Sequence, residues 1–335
     1  MTVRPRAALA MSPRAAEAVM TPDARGALGE VTDLSPTLLD DFRTDEARRT
    51  LADVEILVTG WGCPPLDEAA LQRAPRLRAV AHTAGTVRGH VTEAAWRRGL
   101  AVSSAASANA LPVAEYTVAM ILLAGKRVLE SADAYRTARA RSDWLHPDPR
   151  RGNYRRTVGI LSASLIGRRV IELLRPYDLT VLLHDPYVSE DEAERLGVGL
   201  VPLTELFGRS DVLSVHTPLL PATRGLVSRP LLAALRDDAT LINTARGAVV
   251  DQDALTDELR AGRLRAVLDV TEPDELPPDH PLWECRNALI TPHIAGSQGN
   301  ELARLADLAI AEVRRWAAGE GFAHPVHHDR LEFLA

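Results

Sequence analysis

The stretch VGILSASLIGRR, Val158 to Arg169, runs from a short apolar strand into a helical pattern, and its reading decides the fold. In the register of a G-x-G-x-x-G dinucleotide fingerprint, glycine is expected at Ser162, Ser164 and Gly167, and only the last is glycine. The context still fits. A helix-like run, LIGRRVIELLRPY, ends near Pro176 and gives way to the strand LTVLLH, closed by Asp185. Strand, helix and strand in this order form a βαβ unit, where a pyrophosphate lies against the helix N-terminus because unpaired amides and the helix dipole favour anions. The cofactor-binding set in this register is Ser162, Ser164, Leu165 and Ile166. Backbone does the binding, so serine is tolerated where it is small enough, and its hydroxyl can donate to a phosphate oxygen. Gly167 keeps the close approach of helix and strand.

Asp185 lies 18 residues after Gly167, near the spacing of about 20 at which an acid takes the adenosine ribose hydroxyls. A turn former before Pro186 is the other reading of the same residue. As a ribose acid it repels a 2′-phosphate, and the following PYVSEDE adds acids and no arginine, which favours NAD over NADP.

Outward from this unit, β-rich runs alternate with helix-length amphipathic segments, the pattern of α/β proteins with parallel sheets. RAALAMS, VEILVTGWG and LRAVAHTAG read as strands of a first small α/β unit, with LDEAALQRAP helical between them. ANALPVAEYTVAMILLAGKRVLESADAYR reads as one long, largely buried helix. The polar, Arg-rich RTARARSDWLHPDPRRGNYRR is a surface excursion or linker. TVGIL, LTVLLH, GVGLVP, DVLSVH, ATLINT, RAVLDV and NALIT then supply the strands of a second series. The closing helix, NELARLADLAIAEVRRWAAG, is expected to return to the first unit.

With 335 residues, two domains are expected. Apolar residues at 46% and charged residues at 25% match folded chains rather than disordered ones. A net charge of −6 offers no basic field, so nucleic acid is not an expected partner. Cys63 and Cys285 are too few for a disulfide framework, and no Cys/His spacing reads as a metal site, which fits a reducing cytoplasm. The N-terminus lacks a signal-peptide core, and no uninterrupted apolar run of membrane-spanning length follows, so no membrane association is expected.

Four further stretches appear in order: VHTPLLPATRGL (215–226), LINTARGAVVD (241–251), VLDVTEPDELPPDHPLW (267–283) and TPHIAGS (291–297). Together they resemble the D-isomer-specific 2-hydroxyacid dehydrogenases, and HTAGTVRGHV and NALPVAEYT extend the likeness to most of the chain. The resemblance implies two Rossmann-like or flavodoxin-like domains with the active site in the cleft between them. The chain ends, 1–108 plus 299–335, would form the substrate domain, and 109–298 the NAD-binding domain. It implies a homodimer as well, with the long helix and the excursion carrying Trp144 and Tyr154 at the interface.

Chemistry assigns roles to the matched residues. Reducing a 2-keto acid requires a hydride donor, a proton donor to the carbonyl oxygen and a cation beside the carboxylate. Arg246 is the cation, since its planar fork can bridge carboxylate and keto oxygens. His293 follows a strand end and is the acid/base, because imidazoles exchange protons near neutrality. In the family a glutamate holds this histidine. Here ungapped alignment places Asp274 there, one methylene shorter, with Glu272 as a possible substitute and Glu275 nearby. By the same resemblance Gly85 and Thr86 hold the substrate carboxylate. Asp269 accepts from the nicotinamide carboxamide, and His216, Thr217, Pro218 and Thr244 line the cofactor cleft. The implied activity is an NAD-dependent 2-hydroxyacid dehydrogenase acting on a small 2-keto or 2-hydroxy acid, with NADH preferred over NADPH. An NADH-responsive binding protein on the same scaffold is the alternative, and a formate-type substrate ranks last.

Overall fold

Short aliphatic strands followed by amphipathic helices assemble into two all-parallel sheets. The computed structural model describes residues 4–140 and 150–333, which divide into two units. One holds the described residues up to Ala110 and from Ser297 onward, and the other is Leu111–Gly296.

In the first unit, β1 (Arg6–Ala10), β2 (Asp33–Leu38), β3 (Ile56–Thr59), β4 (Ala79–His82) and β5 (Ala101–Ser104) are ordered β2-β1-β3-β4-β5. This is the flavodoxin-like order. β1, β3 and β4 were legible because they are buried aliphatic runs. β2 was not, because DLSPTL carries Pro36 and is mostly half-exposed at the sheet edge, where a missing ladder donor is tolerated. The C-terminal helix Leu302–Ala317 belongs to this unit. It buries Leu305, Ala309, Ile310 and Val313 in a cluster with Leu9, Val58 and Ala81.

The second unit contains β6 (Thr157–Leu161), β7 (Thr180–His184), β8 (Gly199–Leu200), β9 (Val212–Val215), β10 (Thr240–Asn243), β11 (Arg265–Leu268) and β12 (Ala288–Ile290). Their order is β12-β11-β10-β9-β6-β7-β8. Chain direction across the sheet reverses between β6 and β9, and ligands of open α/β sheets bind at the carboxyl ends beside such a reversal. Helices on both faces bury β9 and β10 completely, which is why they read as continuous apolar runs.

The long helical stretch is two helices, not one. Ala106–Lys126 ends where Arg127 turns left-handed at φ 51°, and Val128–Ala138 follows. At the break Arg127 is buried and pairs with half-buried Asp238, its Nη2 3.4 Å from Oδ1. None of the residues of Val128–Ala138 is buried, so that half of the expected core helix lies on the surface. Ala106–Lys126 is long and apolar enough to cross a membrane by composition, the one such helix among the described residues. Its packing is that of a core helix. Ala114 and Ile121 are buried against the second sheet, Tyr116 hydrogen-bonds Thr291, and Thr117 hydrogen-bonds Thr244. Trp144 lies outside the described residues.

Candidate active site

The turn after β6 is built without its first two glycines. Ser162 adopts φ +80°, a left-handed conformation that costs a residue with a Cβ about 1–2 kcal/mol. Its hydroxyl donates to Asp185 Oδ2 at 3.1 Å, and the Ala163 amide donates to the same oxygen at 2.8 Å. Hydrogen bonds to a charged group contribute about 1.5–3 kcal/mol, enough to offset the strain. Ser164 caps the helix Leu165–Leu174, its Oγ accepting from the Gly167 amide at 3.3 Å. Gly167 is obligatory, because a Cβ there would lie 2.1 Å from the Ser162 carbonyl oxygen. The amides of Leu165 and Ile166 have no acceptor within their helix, and the Leu165 side chain is exposed. A pyrophosphate fits this cradle. Asp185 closes the next strand, where its Oδ1 also accepts from the Tyr187 amide at 2.9 Å.

The proposed chemistry gathers at the carboxyl ends of β10, β11 and β12, which are neighbours in the sheet. Arg246 leaves β10 half-buried and extended, its turn gripped by Asn243. Asn243 Nδ2 donates to the Arg246 carbonyl at 2.9 Å, and Asn243 Oδ1 accepts from the Ala245 amide at 3.0 Å. Beyond β12, His293 is exposed and left-handed at φ 55°. Asp269, just past β11 and 2% exposed, fastens that loop. Its Oδ1 accepts from Thr291 Oγ1 at 2.6 Å and the Ile294 amide at 2.8 Å, and its Oδ2 accepts from the Ala295 amide at 2.9 Å. The His293 amide donates to the Asp269 carbonyl at 3.0 Å.

Asp274 does not meet His293. Its side chain is exposed, and among the described residues no hydrogen bond joins the imidazole to Asp274, Glu272 or Glu275. The loop is pinned elsewhere. Thr271 Oγ1 donates to the carbonyls of Pro273 and Asp274, and Gln252 brackets Glu272 by accepting from its amide and donating to its carbonyl. The Glu272 carboxylate turns to Arg224, 3.8 Å away, so it does not substitute.

In the first unit, Gly85 is half-buried and Thr86 exposed on the loop after β4. His82 organises that loop. Its Nδ1 lies 2.9 Å from Thr59 Oγ1, and its ring packs at a tilt against His90 with centroids 4.3 Å apart.

Residues 118–295 match the NAD binding domain of the D-isomer specific 2-hydroxyacid dehydrogenases. The chain belongs to that family. It is 35% identical over 290 residues to a glyoxylate reductase of Aeropyrum pernix, covering 85% of this chain and 83% of that one. It is 30% identical over 283 residues to a D-3-phosphoglycerate dehydrogenase of Methanocaldococcus jannaschii, covering 82% of this chain and 52% of that one. The chain thus spans about half the length of the phosphoglycerate dehydrogenases it matches. A phosphoglycerate oxidoreductase structure from Rhizobium etli shares the fold, with a TM-score of 0.81, 20% identity and coverage of 97% and 99%.

Within this 2-hydroxyacid dehydrogenase scaffold, the side chains of three residues expected at the cofactor cleft are packed inward. The His216 ring is buried with Nε2 2.9 Å from Ser214 Oγ. Thr217 Oγ1 donates to the Leu161 carbonyl, and Thr244 Oγ1 pairs with Thr117. These side chains sit at the ends of strands covered by helices, and Pro218 is half-buried. Asp269 uses both oxygens to hold the His293 loop, with two donors on Oδ1 and one on Oδ2. Asn243, Gln252 and Thr291 were missed as supports. An Asn at a strand end before A-R-G was the available signal for the first.

Burial also sets a pH response. It pushes His82 down to about 3, with His90 nearby adding to the effect, His90 to about 4 and His216 to about 3. The unfolded chain binds these protons below about 6.5 and the folded chain does not, so stability is fully present above that value and falls as pH drops towards 4. Each ring costs up to ~1.4 kcal/mol per pH unit in that window. Urea unfolding at about pH 7.5 and about pH 5 should show the midpoint falling. Equal midpoints would mean that the rings take up protons without unfolding.

Proposed function

We propose that this chain is an NAD-dependent 2-hydroxyacid dehydrogenase that works as a 2-keto acid reductase. The observation that carries the reading is the row of strand ends in one sheet. β6 and β7 present a pyrophosphate cradle and an acid, while β10, β11 and β12 present Arg246, Asp269 and His293. Family membership supports it, as do relatives named glyoxylate reductase and D-3-phosphoglycerate dehydrogenase.

A bound nicotinamide supplies or accepts the hydride. Arg246 bridges the substrate carboxylate and keto oxygen, drawing charge onto the oxygen as it develops. His293 donates the proton to that oxygen and takes it back in the reverse direction. Asp274 is proposed to hold His293 once substrate is bound, since catalytic hydrogen bonds often form only in the complex. On the first unit, Gly85 and Thr86 are proposed to hold the carboxylate. NADH is preferred to NADPH because Asp185 places a carboxylate where a 2′-phosphate would lie.

The proposal includes a homodimer and a cytoplasmic location. For the dimer, a groove of mixed lining, with Met120, Leu123, Val267 and Leu289 beside Asp133, Arg265 and Arg286, is walled on one side by the helix Val128–Ala138, none of whose residues is buried and on which Leu129 and Tyr135 are exposed. For the location, both cysteines are free thiols.

The test is NADH oxidation at neutral pH across 2-keto acids from glyoxylate to phenylpyruvate, with NADPH in parallel and sedimentation of the same preparation. Turnover favouring NADH is expected, from a dimer. The His293 ring, which has no acid hydrogen-bonded to it among the described residues, favours the rival reading of a non-catalytic NADH sensor, which NADH binding without turnover on any acid would establish instead.

A further inference from the structure

We propose that Ser162 is a positioning residue for cofactor choice, holding the Asp185 carboxylate in the orientation that accepts ribose hydroxyls and repels a 2′-phosphate. The inference rests on the NAD reading above and adds to it a reason for serine in the fingerprint's first glycine position.

Three donors fix the acid. Ser162 Oγ and the Ala163 amide converge on Oδ2 at 3.1 and 2.8 Å, and the Tyr187 amide holds Oδ1 at 2.9 Å. β6 and β7 are register neighbours, with Leu161 opposite His184, and the Ser162 amide donates to the His184 carbonyl at 2.9 Å. The turn and the acid are therefore one hydrogen-bonded unit. Each carboxylate oxygen accepts about two bonds, so Oδ1 retains a lone pair for a hydroxyl donor while Oδ2 is occupied by the turn.

Glycine at 162 would reach φ +80° without strain, yet it would lose the hydroxyl. Alanine would keep the strain and lose the bond. Serine alone of the three couples the phosphate turn to the ribose acid. Released on one side, the carboxylate can rotate away from a 2′-phosphate and gives up its fixed geometry towards the ribose hydroxyls, so discrimination falls from both directions.

The experiment measures dissociation constants for NADH and NADPH by nicotinamide fluorescence, with no substrate present. It uses the full chain and the Ser162→Gly, Ser162→Ala, Asp185→Asn and Ser162→Gly/Asp185→Asn variants, each with its thermal midpoint. The unaltered chain is expected to prefer NADH, and both Ser162 variants to lower that preference about tenfold. Both variants should lower the thermal midpoint, the glycine variant less than the alanine variant because glycine relieves the strain at φ +80°, which separates the hydroxyl from backbone strain. With Asp185 replaced, Ser162→Gly should change the preference by less than about twofold. An intact preference in Ser162→Gly overturns the proposal alone, as does an equal shift with and without Asp185. An unaltered chain that binds both cofactors equally overturns the NAD reading, and this inference with it.

Discussion

Replacing Arg246 with alanine should lower kcat/KM for any 2-keto acid by about a thousandfold, or ~4 kcal/mol of transition-state stabilisation. The turn should survive, because Asn243 holds it by backbone atoms on both sides of Arg246. NADH affinity should stay within about twofold, because the dinucleotide cradle lies on the ends of β6 and β7, different strands from β10. Arg246→Lys keeps the charge and loses the planar fork, so it should recover only about tenfold of the loss. Steady-state kinetics with fluorescence titration of NADH make the comparison. Undiminished turnover in Arg246→Ala would remove this residue from the substrate.

Replacing Gly247 with alanine should damage both stability and activity. A Cβ on Gly247 would lie 2.1 Å from the Thr271 carbonyl carbon and oxygen and 2.7 Å from the Glu272 amide nitrogen. These are backbone atoms with little freedom, since Thr271 and Gln252 fasten that loop by four hydrogen bonds. The Arg246 turn must therefore move. Overpacking of this kind costs about 3 kcal/mol, and displacing a catalytic group by about 1 Å can cost a hundredfold in rate. Gly208→Ala is the control, because its Cβ would meet nothing nearer than 4.0 Å within a helix. It should be neutral or slightly stabilising. Thermal midpoints and kcat/KM of both variants read the difference, and a Gly247→Ala protein as stable and active as the control would show that the loop yields.

In the second sheet β6, β9, β10 and β11 were legible as buried aliphatic runs, a signal contained within a few neighbours, whereas β7, β8 and β12 are partly exposed and were read from their apolar residues between turns. The same holds for the helix after Ser164, which has its own cap and amphipathic face. β2 escaped because an edge strand half-exposed to solvent needs no such run. The break at Arg127 escaped for another reason, since the helical period continues through it and the left-handed turn coincides with an ion pair to Asp238, distant in the chain.

The site divides in the same way. Arg246, His293 and Asp185 were readable as residue types at strand ends, where a parallel sheet places its ligands. Their neighbours were not. The sequence offered Asp274, or Glu272 in its place, as the partner of His293, and among the described residues neither carboxylate hydrogen-bonds the imidazole.

By itself, then, the sequence determined the α/β class, the dinucleotide turn and the family, because each is written in residues adjacent along the chain. Tertiary structure alone decided that Ser162 bonds Asp185 across 23 residues, that Asp269 fastens the His293 loop across 22 to 26, and that Gly247 must be bare where Thr271 crosses it. Those contacts arise from which strands lie side by side. No local period encodes strand order, since the pairing becomes favourable only when distant segments bury their apolar faces together.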